Sequence, residues 1–356
     1  MSRLSKRLQG ARVRLLALAG LVATTGSACA LAAASIANPL PAAAPLLPIA
    51  QPVSVGADTL TLLRSGAPTF RELHRLLDDA KASIHVEVYE FGNRTLIDAV
   101  EAARSRGVAV TVIDDPSEQA SAVTALELRS RGIDVIDYPV RKLMIDHVKL
   151  LVVDGSVAVV GGINWGTKSP ANHDYDAEVH GPVVQNLDRV FLRDVITCGH
   201  QAAVPSVLPD SAILVAATLP AAEIKPLALA VINGARRSLD LELFVLTDTS
   251  IVRALETARA RGIAIHVLLD PSQHSSDPSF QALTTSGVDV RWYRTHGELL
   301  HAKAIVADGS TLLFGSANWS GGGFMRNHEL DILVESSPPV AQAMLEQMRL
   351  DWKAST

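Results

Sequence analysis

From residue 69 onward the apolar positions switch repeatedly between two periods. Phe70, Leu73, Leu76 and Leu77 recur at helical spacing and predict a helix over 69–83. Residues 84–91 (IHVEVYEF) alternate apolar and polar positions, as a half-buried strand does. A second helix at about 95–105 stops at Gly107, and Val108 to Ile113 forms a buried strand closed by Asp114-Asp115-Pro116. A helix over 118–131 ends at Gly132, and short strands follow at 133–138, 147–153 and 157–160. Helical and strand periods in alternation predict an α/β protein with helices on both sheet faces.

The same succession returns in the second half. A helix spans 224–238, LDLELFVL at 239–246 matches IHVEVYEF, and RGIAIHVLLDPS at 261–272 matches RGVAVTVIDDPS at 106–117. The offset is 155 residues at Glu87 and Glu242, 154 at the histidines described below, and 155 again at Asn172 and Asn327. Two one-residue length changes explain this. A repeat so long is a duplicated domain, not a solenoid unit. The expected organisation is two similar α/β/α domains, 58–198 and 223–356, joined by a linker at 199–222 that Gly199, Pro205, Pro209 and Pro220 mark.

The start of the chain follows neither period. Arg3, Lys6, Arg7, Arg12 and Arg14 precede an apolar run at Leu15 to Ala23, and Ala28-Cys29-Ala30 offers a cleavage site. The expectation is a signal peptide over 1–30 and export, either secreted or periplasmic. A membrane anchor, or a lipid attached at Cys29, is the lesser alternative. The Pro- and Ala-rich stretch within 31–57 reads as an extended tether.

Export changes the charge. The whole chain carries 32 basic and 37 acidic residues, and loss of 1–30 leaves 27 against 37, a formal charge of −10. Such a protein has no general attraction for polyanions, which weakens a nucleic-acid substrate without removing it. Only Cys29 and Cys198 are present, so no intrachain disulfide survives cleavage. The core must rest on aliphatic residues, because 48% of the chain is apolar but only 4% aromatic.

Candidate chemistry sits at two matched places. His147, Lys149, Asp154, Gly161, Gly162 and Asn164 share their spacing with His301, Lys303, Asp308, Gly315, Ser316 and Asn318. Both read H-x-K-x4-D-x6-G-G/S-x-N. Strand geometry puts each His and Lys on one face. A lysine on an apolar strand is costly to bury unless an anion meets it, and a phosphodiester is such an anion. The Asn residues follow small residues, where the backbone can approach a ligand, and their amides can donate to phosphoryl oxygens. Two imidazoles divide the work: one attacks phosphorus, the other protonates the departing alcohol and then deprotonates water. The Lys and Asn pairs stabilise the added charge. The scheme runs on side chains alone, so neither a metal nor a cofactor is expected. Asp174 and Glu329, in the matched stretches NHDYDAEV and NHELDILV, are the candidates for orienting the imidazoles.

This double motif resembles the phospholipase D superfamily over nearly all of residues 60–352. The resemblance implies a pseudo-twofold fold with one site between the halves, acting through a phosphohistidine without a metal. It also implies His147 as nucleophile and His301 as general acid, with Asp154 and Asp308 supporting. Two departures stand out. Gly162 replaces the Ser retained at Ser316, removing a hydroxyl that could contact phosphate, and Asp174 is shorter than the Glu retained at Glu329.

The leading expectation is therefore hydrolysis of phospholipid head groups, with transfer to another alcohol as a side reaction and transient contact with a membrane surface. Three rivals stay open: a secreted endonuclease of the same superfamily, a cardiolipin-synthase-like phosphatidyltransferase, and an inactive phosphate-binding module. No obligate protein partner is implied, because one chain carries both motifs.

Overall fold

The computed structural model describes residues 47, 49–209, 211–294 and 298–355. The expected signal peptide at 1–30 lies outside them. Among the described residues no helix is long and apolar enough to cross a membrane.

The first half builds β1 (Val53–Val55), β2 (Asp58–Arg64), α1 (Gly66–Asp79), β3 (Ser83–Val88), α2 (Arg94–Ser105), β4 (Ala109–Asp114), α3 (Gln119–Ser130), β5 (Asp134–Asp137), β6 (Lys149–Val153), β7 (Val157–Gly161), β8 (Tyr175–His180) and α4 (Pro182–Thr197). Its strands form one mixed sheet in the order β1-β2-β8-β7-β6-β3-β4-β5. The second half builds β9 (Ile213–Ala217), α5 (Ile224–Gly234), β10 (Ser238–Leu243), α6 (Thr249–Ala260), β11 (Ala264–Leu269), α7 (Asp277–Thr285), β12 (Asp289–Trp292), β13 (Lys303–Ala307), β14 (Thr311–Gly315), α8 (Gly321–Met325), β15 (Leu330–Val334) and α9 (Pro338–Ala354). Its sheet runs β12-β11-β10-β13-β14-β15-β9 and repeats the first without the edge strand.

Period-2 burial divides each sheet between two cores. In β6, Leu150 and Val152 face a central core while Leu151 and Val153 face α1 and α2. In β13, Ala304 and Val306 join the same central core, and Ile305 and Ala307 face α5 and α6. The central core is therefore common to both halves. Each half also sends its last helix across: α4 packs on β9, and α9 packs on β2.

Two segments expected to lack structure are ordered into the sheets. The tether at 31–57 contains β1, which pairs with β2, and Ala50 N–H donates to the Leu62 carbonyl at 3.1 Å. The linker at 199–222 contains β9, which pairs antiparallel with β15 from Leu330 to Val334. Neither showed a clear period. β1 is only three residues long, and β9 (ILVAA) is a short apolar run that alternation cannot type.

The motif aspartates are structural. Asp154 sits at φ 53° just past β6, and its carboxylate accepts from the N–H groups of Lys81, Ala82 and Ser83 at 2.7–2.9 Å. Asp308, at φ 54°, does the same for Arg236, Arg237 and Ser238. Each closes the turn that leads into the strand beside its motif strand, β3 or β10. Partial burial opposes their ionisation, but the three backbone donors outweigh it and hold both pKa values below the usual carboxylate range. Their contribution is thus fully present above the unfolded-state pKa and is lost as pH falls through the lower folded-state value. Asp154→Ala should cost about 1–3 kcal/mol and flatten the acid limb of the stability curve. Denaturant titration at several pH values checks this; an unchanged acid limb would exclude the role.

Candidate active site

A cavity of about 800 Å³ is lined by His147 and Asn164 from the first half and by His301 and Asn318 from the second. Tyr89, Glu90, Lys168, Asn172 and Phe244 complete much of its wall. The expected histidines and asparagines of the two halves thus open onto one space.

Each motif histidine is held by the opposite half. The strand expected over 147–153 begins only at Lys149, because the His147 N–H leaves the ladder and donates to the His328 carbonyl at 2.8 Å. The His301 N–H likewise donates to the His173 carbonyl at 2.8 Å. The side chains cross in the same way. His147 Nδ1 meets Glu329 Oε2 at 2.8 Å, and His301 Nδ1 meets Asp174 Oδ2 at 2.7 Å. A carboxylate on Nδ1 favours the tautomer that turns Nε2 toward the reaction; on His301 the ring also meets Lys303 Nζ, 2.7 Å from Nδ1 and 3.1 Å from Nε2.

The loops before the histidines are also pinned. Asp115 Oδ2 accepts from Asp146 N–H at 2.8 Å, and Asp270 Oδ2 accepts from Leu300 N–H at 2.9 Å. These are the aspartates of the matched D-P-S stretches.

Lys149 and Lys303 are buried behind the imidazoles. Lys149 Nζ donates to the His147 carbonyl at 2.6 Å, and Lys303 Nζ to the His301 carbonyl. They lie over the rings of Tyr89 and Phe244, each 5.4 Å from the centroid. Burial lowers Lys149 to a pKa of about 7 and Lys303 to about 8. Burial, then the lysine charges, also depress both imidazoles: His147 well below its usual value and His301 to about 4. Both rings are therefore neutral in the free protein at neutral pH. Glu329 is raised to about 7 by burial, against the pull of Lys149.

Asn164 and Asn318 each leave a buried Oδ1 without a hydrogen-bond partner. The small residues before them have a different purpose from the one expected. A Cβ on Gly161 would lie 2.2 Å from Asp176 Oδ1, and one on Gly315 2.4 Å from Asp331 Oδ1. The room is taken by carboxylates of the neighbouring strand, not by an approaching ligand.

Ser316, expected to contact phosphate, has its hydroxyl engaged within the protein. Ser316 is fully buried, donates to Glu329 Oε2 at 2.7 Å and accepts from Leu330 N–H at 2.9 Å. It acts on Glu329 and through it on His147. This explains both departures of the first half-site together. A Cβ on Gly162 would lie 2.3 Å from Asp174 Oδ1. The short carboxylate takes the space that a serine would need, and Tyr175 N–H donates to it at 2.9 Å in place of the hydroxyl. Gly162→Ala should push Asp174 off His301 and cut turnover about tenfold or more while Gly315-side geometry is untouched. Steady-state kinetics with thermal melts separate this from unfolding; full activity would show that Asp174 does not orient the ring.

Behind each half-site lies a buried triad. His328 Nε2 meets Asp194 Oδ2 at 2.9 Å and Glu87 Oε1 at 3.6 Å. His173 Nε2 meets Glu242 Oε2 at 3.0 Å and Asp351 Oδ2 at 3.3 Å. In each, the histidine comes from one half and both acids from the other. Burial alone would neutralise these imidazoles, but their acidic partners overcome it and raise both pKa values. Among the described residues these are the two clusters with the spacing of metal ligands. Their atoms bond one another, and they act as ion-pair locks between the halves. Glu87, Glu242, His173 and His328 were visible in the repeat; Asp194 and Asp351 were not, because they sit on helices far along the chain. Trp165 and Trp319, which follow the motif asparagines, are buried in the outer cores, as is Phe324, while Met325 is exposed.

A family model described as "Cardiolipin synthase, PLD-like domain" matches residues 73–195 and again 228–352. The cardiolipin synthase of Geobacillus kaustophilus (strain HTA426) is 29% identical over 343 residues, covering 84% of this chain and 67% of that one. Cardiolipin synthase A of Pseudomonas putida is 26% identical over 308 residues, covering 77% and 64%. The solved phosphatidylserine synthase of Haemophilus influenzae Rd KW20 superposes with a TM-score of 0.67 at 12% identity, covering 87% of this chain and 89% of that one, which is a likeness of fold.

Proposed function

We infer, from a chain that belongs to the phospholipase D superfamily, that this protein is a phosphatidyltransferase that moves a phosphatidyl group between alcohols. The observation that carries the inference is one cavity lined by two imidazoles, each anchored through Nδ1 by the other half. The names of the relatives favour transfer to an alcohol over the hydrolysis expected first.

The reaction has two in-line steps. His147 Nε2 attacks phosphorus, forming a P–N bond as the P–O bond to the leaving alcohol breaks. The alkoxide leaves with a proton from His301 Nε2. A second alcohol then enters, gives its proton to His301 and attacks phosphorus, and the P–N bond breaks. Lys149 and Lys303 offset the phosphoryl charge, and the Asn164 and Asn318 amides donate to its oxygens. The assignment of His147 as the attacking residue follows the family resemblance.

In the free protein His301 is neutral, so its proton must arrive with the substrate. An anion between the lysines raises the pKa of every group around it. Vanadate or inorganic phosphate should therefore bind with net proton uptake at neutral pH. Calorimetry in two buffers of different ionisation enthalpy reads this directly, and proton release would contradict the charge assignment.

The reading is tested with the full chain on phosphatidylglycerol vesicles in the presence of EDTA. Cardiolipin and free glycerol are the expected products. Phosphatidic acid alone would return the protein to hydrolysis, and nicking of single-stranded DNA with no lipid product would place it among nucleases.

A further inference from the structure

The two half-sites duplicate His, Lys and Asn, but one wall of the cavity is not duplicated. Glu90 lines it beside His147 and Asn164, and is partly exposed. Its counterpart in the second half, at the offset of 155, is Val245. A second difference accompanies it. A Cβ on Gly166 would lie 2.0 Å from Glu90 Oε1, so the backbone is bare where the carboxylate rests. The counterpart of Gly166 is Ser320, which instead accepts from Gly323 N–H to start α8. Glu90 and Gly166 thus form a matched pair that only the first half possesses.

We propose that Glu90 selects the acceptor, receiving the hydroxyl groups of a polyol such as a glycerol head group. This rests on the transferase reading above. A carboxylate is a poor neighbour for a phosphodiester, since two anions repel in a partly desolvated cavity. Glu118 adds negative charge nearby, and Lys149 offsets part of it. Contact with the phosphoryl group cannot explain this acidic corner, but contact with hydrogen-bond donors can. A polyol carries several donors and no charge.

The asymmetry fits the same idea. Groups that grip phosphorus are needed from both sides and occur twice. A group that reads one alcohol is needed once. Burial, helped by Glu118, also raises the Glu90 pKa above the usual carboxylate range.

Glu90 also accepts from the Asn164 side chain, so a structural role must be separated from selection. Glu90→Gln can still bond Asn164 but loses the charge and one acceptor. The measurement is a competition in one mixture: acyl-labelled phosphatidylglycerol in detergent micelles, with deuterated glycerol and ethanol both present. Mass spectrometry gives the ratio of deuterated phosphatidylglycerol to phosphatidylethanol. A change in total turnover cancels in that ratio. Glu90→Gln and Glu90→Ala are each expected to lower it about tenfold relative to the unsubstituted protein. A ratio unchanged in Glu90→Gln overturns the proposal, whatever happens to turnover. If the unsubstituted protein forms neither phosphatidyl alcohol, the transferase reading itself fails, and that result is visible before any variant is compared.

Discussion

His147→Ala and His301→Ala are each expected to lower turnover of a natural phosphatidyl substrate by at least about 10³-fold. Both rings open onto one cavity and neither can take the other's place, because each is tied through Nδ1 to a different carboxylate. The two variants should differ with a diester whose leaving group is an activated phenol. That leaving group needs no proton, so loss of the general acid matters less. His301→Ala should then recover much of its rate, and His147→Ala should not. The opposite result would exchange the two roles, and full activity of either variant on natural lipid would remove the two-imidazole scheme. Acid-quenched phosphohistidine, sought in each variant, is a second readout.

The other large effect concerns stability. Asp194→Ala should destabilise the fold by about 3–5 kcal/mol, the usual cost of removing one partner from a buried ion pair. His328 would be left facing Glu87, whose two carboxylate oxygens have no hydrogen-bond partner and whose pKa is already pushed well up by burial. The melting temperature should fall by roughly 10 °C. Activity should fall as well at temperatures where the variant is folded, since the His328 carbonyl holds the His147 N–H and the next residue is Glu329. A melt within a degree or so of the parent would show that the triad carries no net stability. Because the His328 pKa is raised, its share of stability is full below the ordinary histidine value and is lost as pH rises through the folded-state value.

Much of this was legible in the chain. Two copies of H-x-K-x4-D at one offset pointed to a paired site, and alternating periods pointed to layered α/β halves. The NHD and NHE stretches exposed the orienting carboxylates, because they recur at fixed distance from the motif. What the chain did not show falls into two kinds. Short strands such as β1 and β9 carry too few residues for a period, so they read as tether and linker. Partnerships across the halves, such as Asp194 with His328, join residues more than a hundred positions apart and leave no local trace. The small residues near Asn164 and Asn318 had a visible pattern but a wrong explanation, since only the packed sheets show what fills the space beside them.

Neither repeat owns a finished reaction centre. A genetic exchange that replaced one repeat with a homologue's would bring a serine–glutamate pair against a glycine–aspartate background, or the reverse, and misaim a ring belonging to the repeat left behind. Inheritance of the two repeats as one block is the outcome that such crossed dependence favours.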